Sequence, residues 1–237
     1  MIFSIISLLF PTLFLNGNLN TSIVALHGRN ILIKGPVIAN FKPVEKNTNN
    51  LRIKTDFQNY LYSIICENRA TFKGNIPNIY KMKIVIFSVN HLNPMLINNR
   101  NKDPLKKTNI ISDQGDFIWY QHDIYPYLYS LEKYNLSIQD ALLEFNEKHY
   151  DFDHLVDLLD SHYSSNQPTC VYVHCLHGLS RSIVLIGGYL IKYRGYNVQQ
   201  VIKYLNSNKI SHLLCDKKHS YNFLSVYQMF LREKCAI

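Results

Sequence analysis

Acidic residues are the first shortage: 17 Asp and Glu stand against 25 Lys and Arg, a formal net charge of +8. That balance suits a phosphorylated or acidic partner, an RNA or an anionic membrane surface, and does not choose among them. Cysteine is scarce too, with five residues at positions 66, 170, 175, 215 and 235. No two of them stand as C-x2-C, so zinc-ligand spacing is missing and no metal or other cofactor is expected. There is no internal repeat and no sign of a second catalytic unit. The 237 residues therefore fit one domain with extensions. Long apolar runs are absent except at the start, where MIFSIISLLFPTLFL fills positions 1–15. That run is short for a membrane span, has no Lys or Arg before it, and offers no small-x-small cleavage site. Pro11 interrupts any helix there. For residues 1–18 a signal, an anchor and a buried start all stay open, and membrane association with them.

What is present describes a globular chain, 47% hydrophobic and 13% aromatic. Short strands are expected at Ser22–Leu26, Asn30–Lys34 and Val37–Phe41, punctuated by Gly28 and Gly35-Pro36. Thr55 with Gln58 reads as a capping box opening a helix whose apolar face is Phe57, Tyr60, Leu61, Ile64 and Ile65. Lys83–Val89 reads as a buried central strand and Phe117–Tyr120 as another. Between them, residues 90–109 are rich in Asn, Lys and Pro and read as an exposed insert carrying Arg100, Lys102, Lys106 and Lys107. Ser137 caps a helix with Ile138, Ala141, Leu142 and Phe145 on one face, and Phe152, Leu155, Val156 and Leu159 mark the next. Asn197 caps a helix marked by Val198, Val201, Ile202 and Leu205; Phe223, Tyr227, Phe230 and Leu231 mark the last. Such alternation implies an α/β fold with a mixed central sheet flanked by helices.

One stretch carries the chemistry. Cys170–Val173 reads as a buried strand and Ser182–Tyr193 as an apolar helix, with Cys175, Gly178 and Arg181 in the short loop between. A loop running from a strand into a helix N-terminus turns backbone N–H groups inward, and the helix dipole adds positive charge. That field favours an anionic ligand and a thiolate at Cys175. Arg181 offers a planar fork for two phosphate oxygens. Gly178 lets the backbone close around the anion, and Ser182 sets a hydroxyl where it can bond the sulfur. His174, just before the loop, reads as a scaffold hydrogen-bonder. A usable thiolate must stay reduced, which argues for cytosol or nucleus, whereas residues 1–15 leave secretion or anchoring open.

HCLHGLSRS resembles the signature loop of the cysteine-dependent phosphatases, and VHC-x2-G-x-SRS is most similar to the dual-specificity branch. The resemblance implies a dual-specificity phosphatase-like domain over residues 20–235. Its activity would be hydrolysis of phosphotyrosine, and of phosphoserine or phosphothreonine, in a protein through a phosphocysteine. It implies Cys175 as nucleophile, Arg181 and Ser182 as catalytic partners, and Leu176, His177, Gly178, Leu179, Ser180 and Arg181 around the phosphate, with His174 in support. The family also carries a general-acid Asp after the strand preceding the signature strand. Asp123, just beyond Phe117–Tyr120, is the first candidate. Asp153 is the second, although helix N-capping explains Asp151 and Asp153 more simply. Reversible inactivation by oxidation of Cys175 is a further expectation; Cys170 is on the same strand, but its position gives no assurance of reach.

The Trp-Pro-Asp loop of the large tyrosine-specific enzymes is absent, and no lysine within the loop favours a lipid substrate. A second reading stays open, an RNA 5′-triphosphatase, because HC-x-HG is similar to the loop of cysteine-type capping triphosphatases. Those have Asn-Arg-Thr-Gly where this chain has Ser180-Arg181-Ser182-Ile183, and no aromatic–basic interleaving marks a single-strand channel. A third is a phosphate-binding pseudophosphatase. A single copy acting alone on a phosphorylated protein is the expectation, with an RNA 5′ end as the other partner.

Overall fold

The computed structural model describes residues 21–36, 50–73, 75–89, 109–113, 115–122, 137, 140–143, 145, 150–176, 178, 180–207 and 217–235. The apolar segment 1–18, the strand expected at 37–41, most of the insert at 90–109, and Asp123, His177 and Leu179 lie outside the described residues.

Among the described residues six strands make one sheet: β1 (Ser22–His27), β2 (Asn30–Pro36), β3 (Lys83–Ser88), β4 (Asn109–Asp113), β5 (Phe117–Gln121) and β6 (Thr169–Cys175). Their spatial order is β1-β2-β6-β3-β5-β4. The four inner strands are parallel, and β1 and β4 close the edges antiparallel. The sheet is therefore mixed, as expected. Strands covered on both faces read as continuous apolar runs, and β6 is buried along its whole length.

One face is covered by α1 (Asn50–Glu67), whose Phe57, Leu61, Ile64 and Ile65 pack on Ile31, Ile33, Ile84, Ile86, Trp119 and Tyr172. The other is covered by α2 (Tyr150–Tyr163), α3 (Arg181–Arg194), α4 (Val198–Ser207) and α5 (Lys217–Cys235). Their apolar residues join Leu32, Val85, Phe87, Val171 and Val173 in the larger core. Helix α3 runs through the middle of that layer, buried from Ser182 to Ile191. A Cβ on Gly187 would stand 2.6 Å from a methyl of Leu224, so the absent side chain is what lets α5 come this close.

One sequence expectation needs correction, and one strand was not expected. Helix α1 starts at Asn50, so Thr55 lies inside it and the Thr55–Gln58 pair is no cap. Gln58 is instead buried, its amide donating to the Ile79 and Tyr80 carbonyls at 3.4 and 3.5 Å. Strand β4 begins at Asn109, where an insert was expected to end. The other two caps form. Ser137 Oγ accepts from the Asp140 N–H at 3.2 Å, and Asn197 Oδ1 accepts from the Gln200 N–H at 2.9 Å.

The four parallel strands end on one edge of the sheet. Pro36 pairs with Cys175, Cys175's neighbour His174 with Ser88, and Ser88 with Gln121. Strand β6, late in the chain, is inserted between β2 and β3, so the connections part on either side of it. In open α/β sheets that crevice, beyond the carboxyl ends of the strands, is where ligands bind.

Candidate active site

Cys175 closes β6 at that edge and is 4% exposed. The chain then turns through exposed Leu176 and buried Gly178 and enters α3 at Arg181. At Gly178 the backbone has φ +68°, and an added Cβ would lie 2.6 Å from the Gly35 carbonyl carbon and 2.7 Å from the Pro36 nitrogen. Conformation and space both require glycine here. The contact also shows what supports the loop: its middle rests on the end of β2. Tyr172 props that end from the other face, its hydroxyl donating to the Pro36 carbonyl at 2.9 Å.

Ser180 stands at the N-cap of α3, and its carbonyl accepts the Val184 N–H at 3.0 Å, the first helical bond. The first turn of α3 contains no acidic residue, so the positive end of the helix has no anion of its own in that turn. Arg181 is half-buried at the first helical position. One residue on, Ser182 is wholly buried, with Oγ 3.6 Å from Cys175 Sγ, within reach of a hydrogen bond to sulfur. Cys175, Gly178, Ser180, Arg181 and Ser182 are thus brought into one turn of chain around the mouth of the crevice. This arrangement can hold a tetrahedral oxyanion against a sulfur nucleophile.

Beneath the loop the strand ends are stitched together by polar bonds. The His174 ring nitrogen Nε2 meets Ser88 Oγ at 2.6 Å, the Val89 N–H donates to the His174 carbonyl at 2.9 Å, and the His122 N–H donates to the Ser88 carbonyl at 2.9 Å. Burial pushes His174 and His122 each down to about 4, so both rings are neutral near pH 7. His174 is thereby bonded into the strand ends beneath the loop.

Asp153 is located elsewhere. It lies in the first turn of α2 and is buried, with Lys192 at 2.5 Å, Lys234 at 2.8 Å and the Tyr227 hydroxyl donating at 2.8 Å. Burial alone would raise its pKa, but these three partners together hold the carboxyl below the ordinary range. It is an ion-pair hub joining α2, α3 and α5, which corrects the N-cap reading. Lys192 is 192 − 181 = 11 residues along α3 from Arg181, about 16 Å of helix. The structure does not bring Asp153 to Cys175. Cys170 is also separated: it belongs to the opposite core, on the other face of β6. Five residues of strand put it roughly 16 Å away, beyond the span of a disulfide.

Sequence reasoning missed Lys34. It is 1% exposed near the end of β2, paired in register with Val173 and flanked by Leu32 of the larger core. Burial lowers it to about 8, while the Cys175 sulfur acts in the other direction and favours its charge. Its only sequence signal was a lysine inside an apolar strand, NILIKGP.

Among the described residues no cluster of His, Cys, Asp and Glu could hold a metal ion, and no helix is long and apolar enough to cross a membrane.

A strand-end cysteine, a glycine-tightened loop and an arginine at a helix start define the cysteine-based phosphatases. Residues 124–228 match the family model of the dual specificity phosphatase catalytic domain. The match takes in β6, the loop and α2 to α4, with most of α5. No curated protein matches the chain significantly. Among solved structures it is similar to the Cydia pomonella PTP-2 phosphatase, at 13% identity over 87% of this chain and 88% of that one, TM-score 0.41. It is similar to a variant of human DUSP28 at 11% identity over 90% and 98%, TM-score 0.44. A human tyrosine phosphatase-like serine/threonine/tyrosine-interacting protein gives 14% identity over 86% and 93%, TM-score 0.41. Likenesses this distant assign neither substrate nor mechanism.

Proposed function

We propose that the chain hydrolyses phosphotyrosine, and phosphoserine or phosphothreonine, in a phosphorylated protein, with residues 20–235 acting as one catalytic domain. The observation that carries this reading is the Cys175–Ser182 pair at 3.6 Å, set at the foot of the α3 N-terminus. The thiolate of Cys175 attacks phosphorus, the P–O ester bond breaks, and the departing oxygen takes a proton from a general acid. Water then attacks the phosphocysteine, giving its proton to the same carboxylate, and the S–P bond breaks to restore the thiolate. Arg181 and the amides of residues 176–181 hold the three equatorial oxygens, which carry the growing charge. The Ser182 hydroxyl donates to the sulfur and steadies it as the leaving group of the second step.

Asp123 remains the proposed acid. Gln121 ends β5 on the same sheet edge as Ser88 and His174, and this supports the choice. The partners of Asp153, Lys192 eleven residues up α3 from Arg181 and Lys234 on α5, speak against its taking that role.

The test is phosphate release from an activated aryl phosphate with chelator present, wild type beside Cys175→Ser, followed by phosphopeptides and triphosphate-ended RNA. Turnover of phosphopeptides by the wild type alone supports the reading. Release of γ-phosphate from RNA with inert phosphopeptides would replace it with the triphosphatase reading. Phosphate binding without a burst of product would leave a pseudophosphatase.

A further inference from the structure

We propose that Lys34 is a positioning residue for the nucleophile: its buried ammonium lies beneath the signature loop as a fixed cation for the Cys175 thiolate. The inference rests on Cys175 being the nucleophile, and extends it to a residue outside the loop, on a different strand.

The sheet makes the juxtaposition. Strand β2 lies directly beside β6 and parallel to it, with Lys34 opposite Val173 and Pro36 opposite Cys175. Side chains two apart on a strand share a face. Leu32 on β2, and Val171, Val173 and Cys175 on β6, all belong to the larger core, so Lys34 points to the same face as the sulfur. Lys34 and Cys175 are thus diagonal neighbours across a parallel pair, a separation that a long side chain spans. On its other side β1 sets Ser22 opposite Lys34, and the Tyr204 hydroxyl of α4 donates to the neighbouring Val24 carbonyl at 2.5 Å. Arg181 and Ser182 of α3 are further titratable and polar groups at that end, and Cys175 favours the charged form of Lys34.

Energetics favour the pairing. An isolated ammonium with 1% exposure is costly, and burial indeed depresses this one to about 8, which still leaves it charged at neutral pH. The thiolate offsets that cost, and reciprocally the ammonium holds the sulfur ionised. Arg181, half-exposed at the start of α3, serves the substrate phosphate in the proposed mechanism. Lys34 serves the sulfur before the substrate arrives and again when the S–P bond breaks, because a thiolate reappears in that step.

The experiment follows alkylation of Cys175 by iodoacetamide against pH, read by mass spectrometry of the Cys175 peptide, in wild type, Lys34→Met and Lys34→Arg. Melting curves establish that each is folded. The methionine variant should raise the Cys175 titration midpoint by about one unit, an approximately tenfold smaller thiolate fraction at pH 6, and the acid limb of kcat/KM should move with it. The arginine variant should return the midpoint toward wild type. An unchanged midpoint in folded Lys34→Met overturns the proposal. So does a wild-type midpoint at the ordinary thiol value. If the methionine variant does not fold, Lys34→Gln replaces it and is judged by the same midpoint. Alkylation needs no turnover: a shifted midpoint in a protein that hydrolyses nothing would sink the phosphatase reading alone. An unchanged midpoint in an active enzyme would sink the lysine alone.

Discussion

Replacing Gly178 by alanine tests the loop where it is most constrained. The residue holds φ +68°, and its missing Cβ would meet Gly35 and Pro36 backbone atoms at 2.6 to 2.8 Å. A left-handed conformation costs a residue with a Cβ roughly 1–2 kcal/mol. Inserting a methyl into a packed site costs about 1–3 kcal/mol more. Backbone cannot swing away as a side-chain tip can, so both terms apply, about 2–5 kcal/mol together. If the strain stays in place, the melting temperature falls by about 4–20 °C for a chain of this size. If the loop moves off β2 to relieve it, the amides leave their positions and phosphate binding weakens instead. Thermal unfolding measured beside inhibition by inorganic phosphate reads both routes. Wild-type melting together with wild-type phosphate inhibition would refute the reasoning.

The remaining predictions concern charge. Asp153→Asn should lower stability at pH 7 by about 2 kcal/mol, a loss typical of hydrogen bonds to a charged group, while leaving kcat within about twofold; a fall of 10²-fold or more would give Asp153 the acid's role. Because the folded pKa of Asp153 is depressed, its contribution is present above the unfolded value and lost as pH falls through the folded one. The melting difference between wild type and Asp153→Asn should therefore shrink below about pH 4, and a constant difference down to pH 2.5 would contradict the ion-pair hub. His174 and His122, both at about 4 in the fold, take up protons more readily when unfolded. Wild-type stability should thus decline as pH drops from about 6.5 toward 4, and a flat melting profile across that window would contradict their burial as neutral rings. Asp123→Asn should slow phosphoserine and alkyl phosphates by about 10²-fold or more and an activated aryl phosphate far less. An equal loss on both would remove it as proton donor.

The loop was legible because its parts are consecutive: Cys175, Gly178, Arg181 and Ser182 are local in sequence and their spacing alone sets them around one turn. The sheet's central strands were legible for a similar reason, since KIVIFS and TCVYVHC are apolar throughout. What escaped depended on distant partners. Gln58 imitates a capping box until Ile79 and Tyr80 arrive to take its amide. Asp153 imitates an N-cap until Lys192 and Lys234 reach it from α3 and α5. Lys34 looks like the polar member of an edge strand; only the pairing of β2 between β1 and β6 makes it interior. Strand β4 is short, carries polar residues and, among the described residues, pairs with β5 at the edge of the sheet.

The central claim is that Cys175 is the nucleophile of a phosphocysteine mechanism. The most direct measurement is acid quenching of the enzyme during turnover of an activated aryl phosphate, with mass spectrometry of the Cys175 peptide. The account predicts a peptide heavier by one phosphoryl group on sulfur in wild type, accumulating further in Asp123→Asn, and never formed in Cys175→Ser. Steady turnover with an unmodified Cys175, or turnover retained in Cys175→Ser, would contradict it.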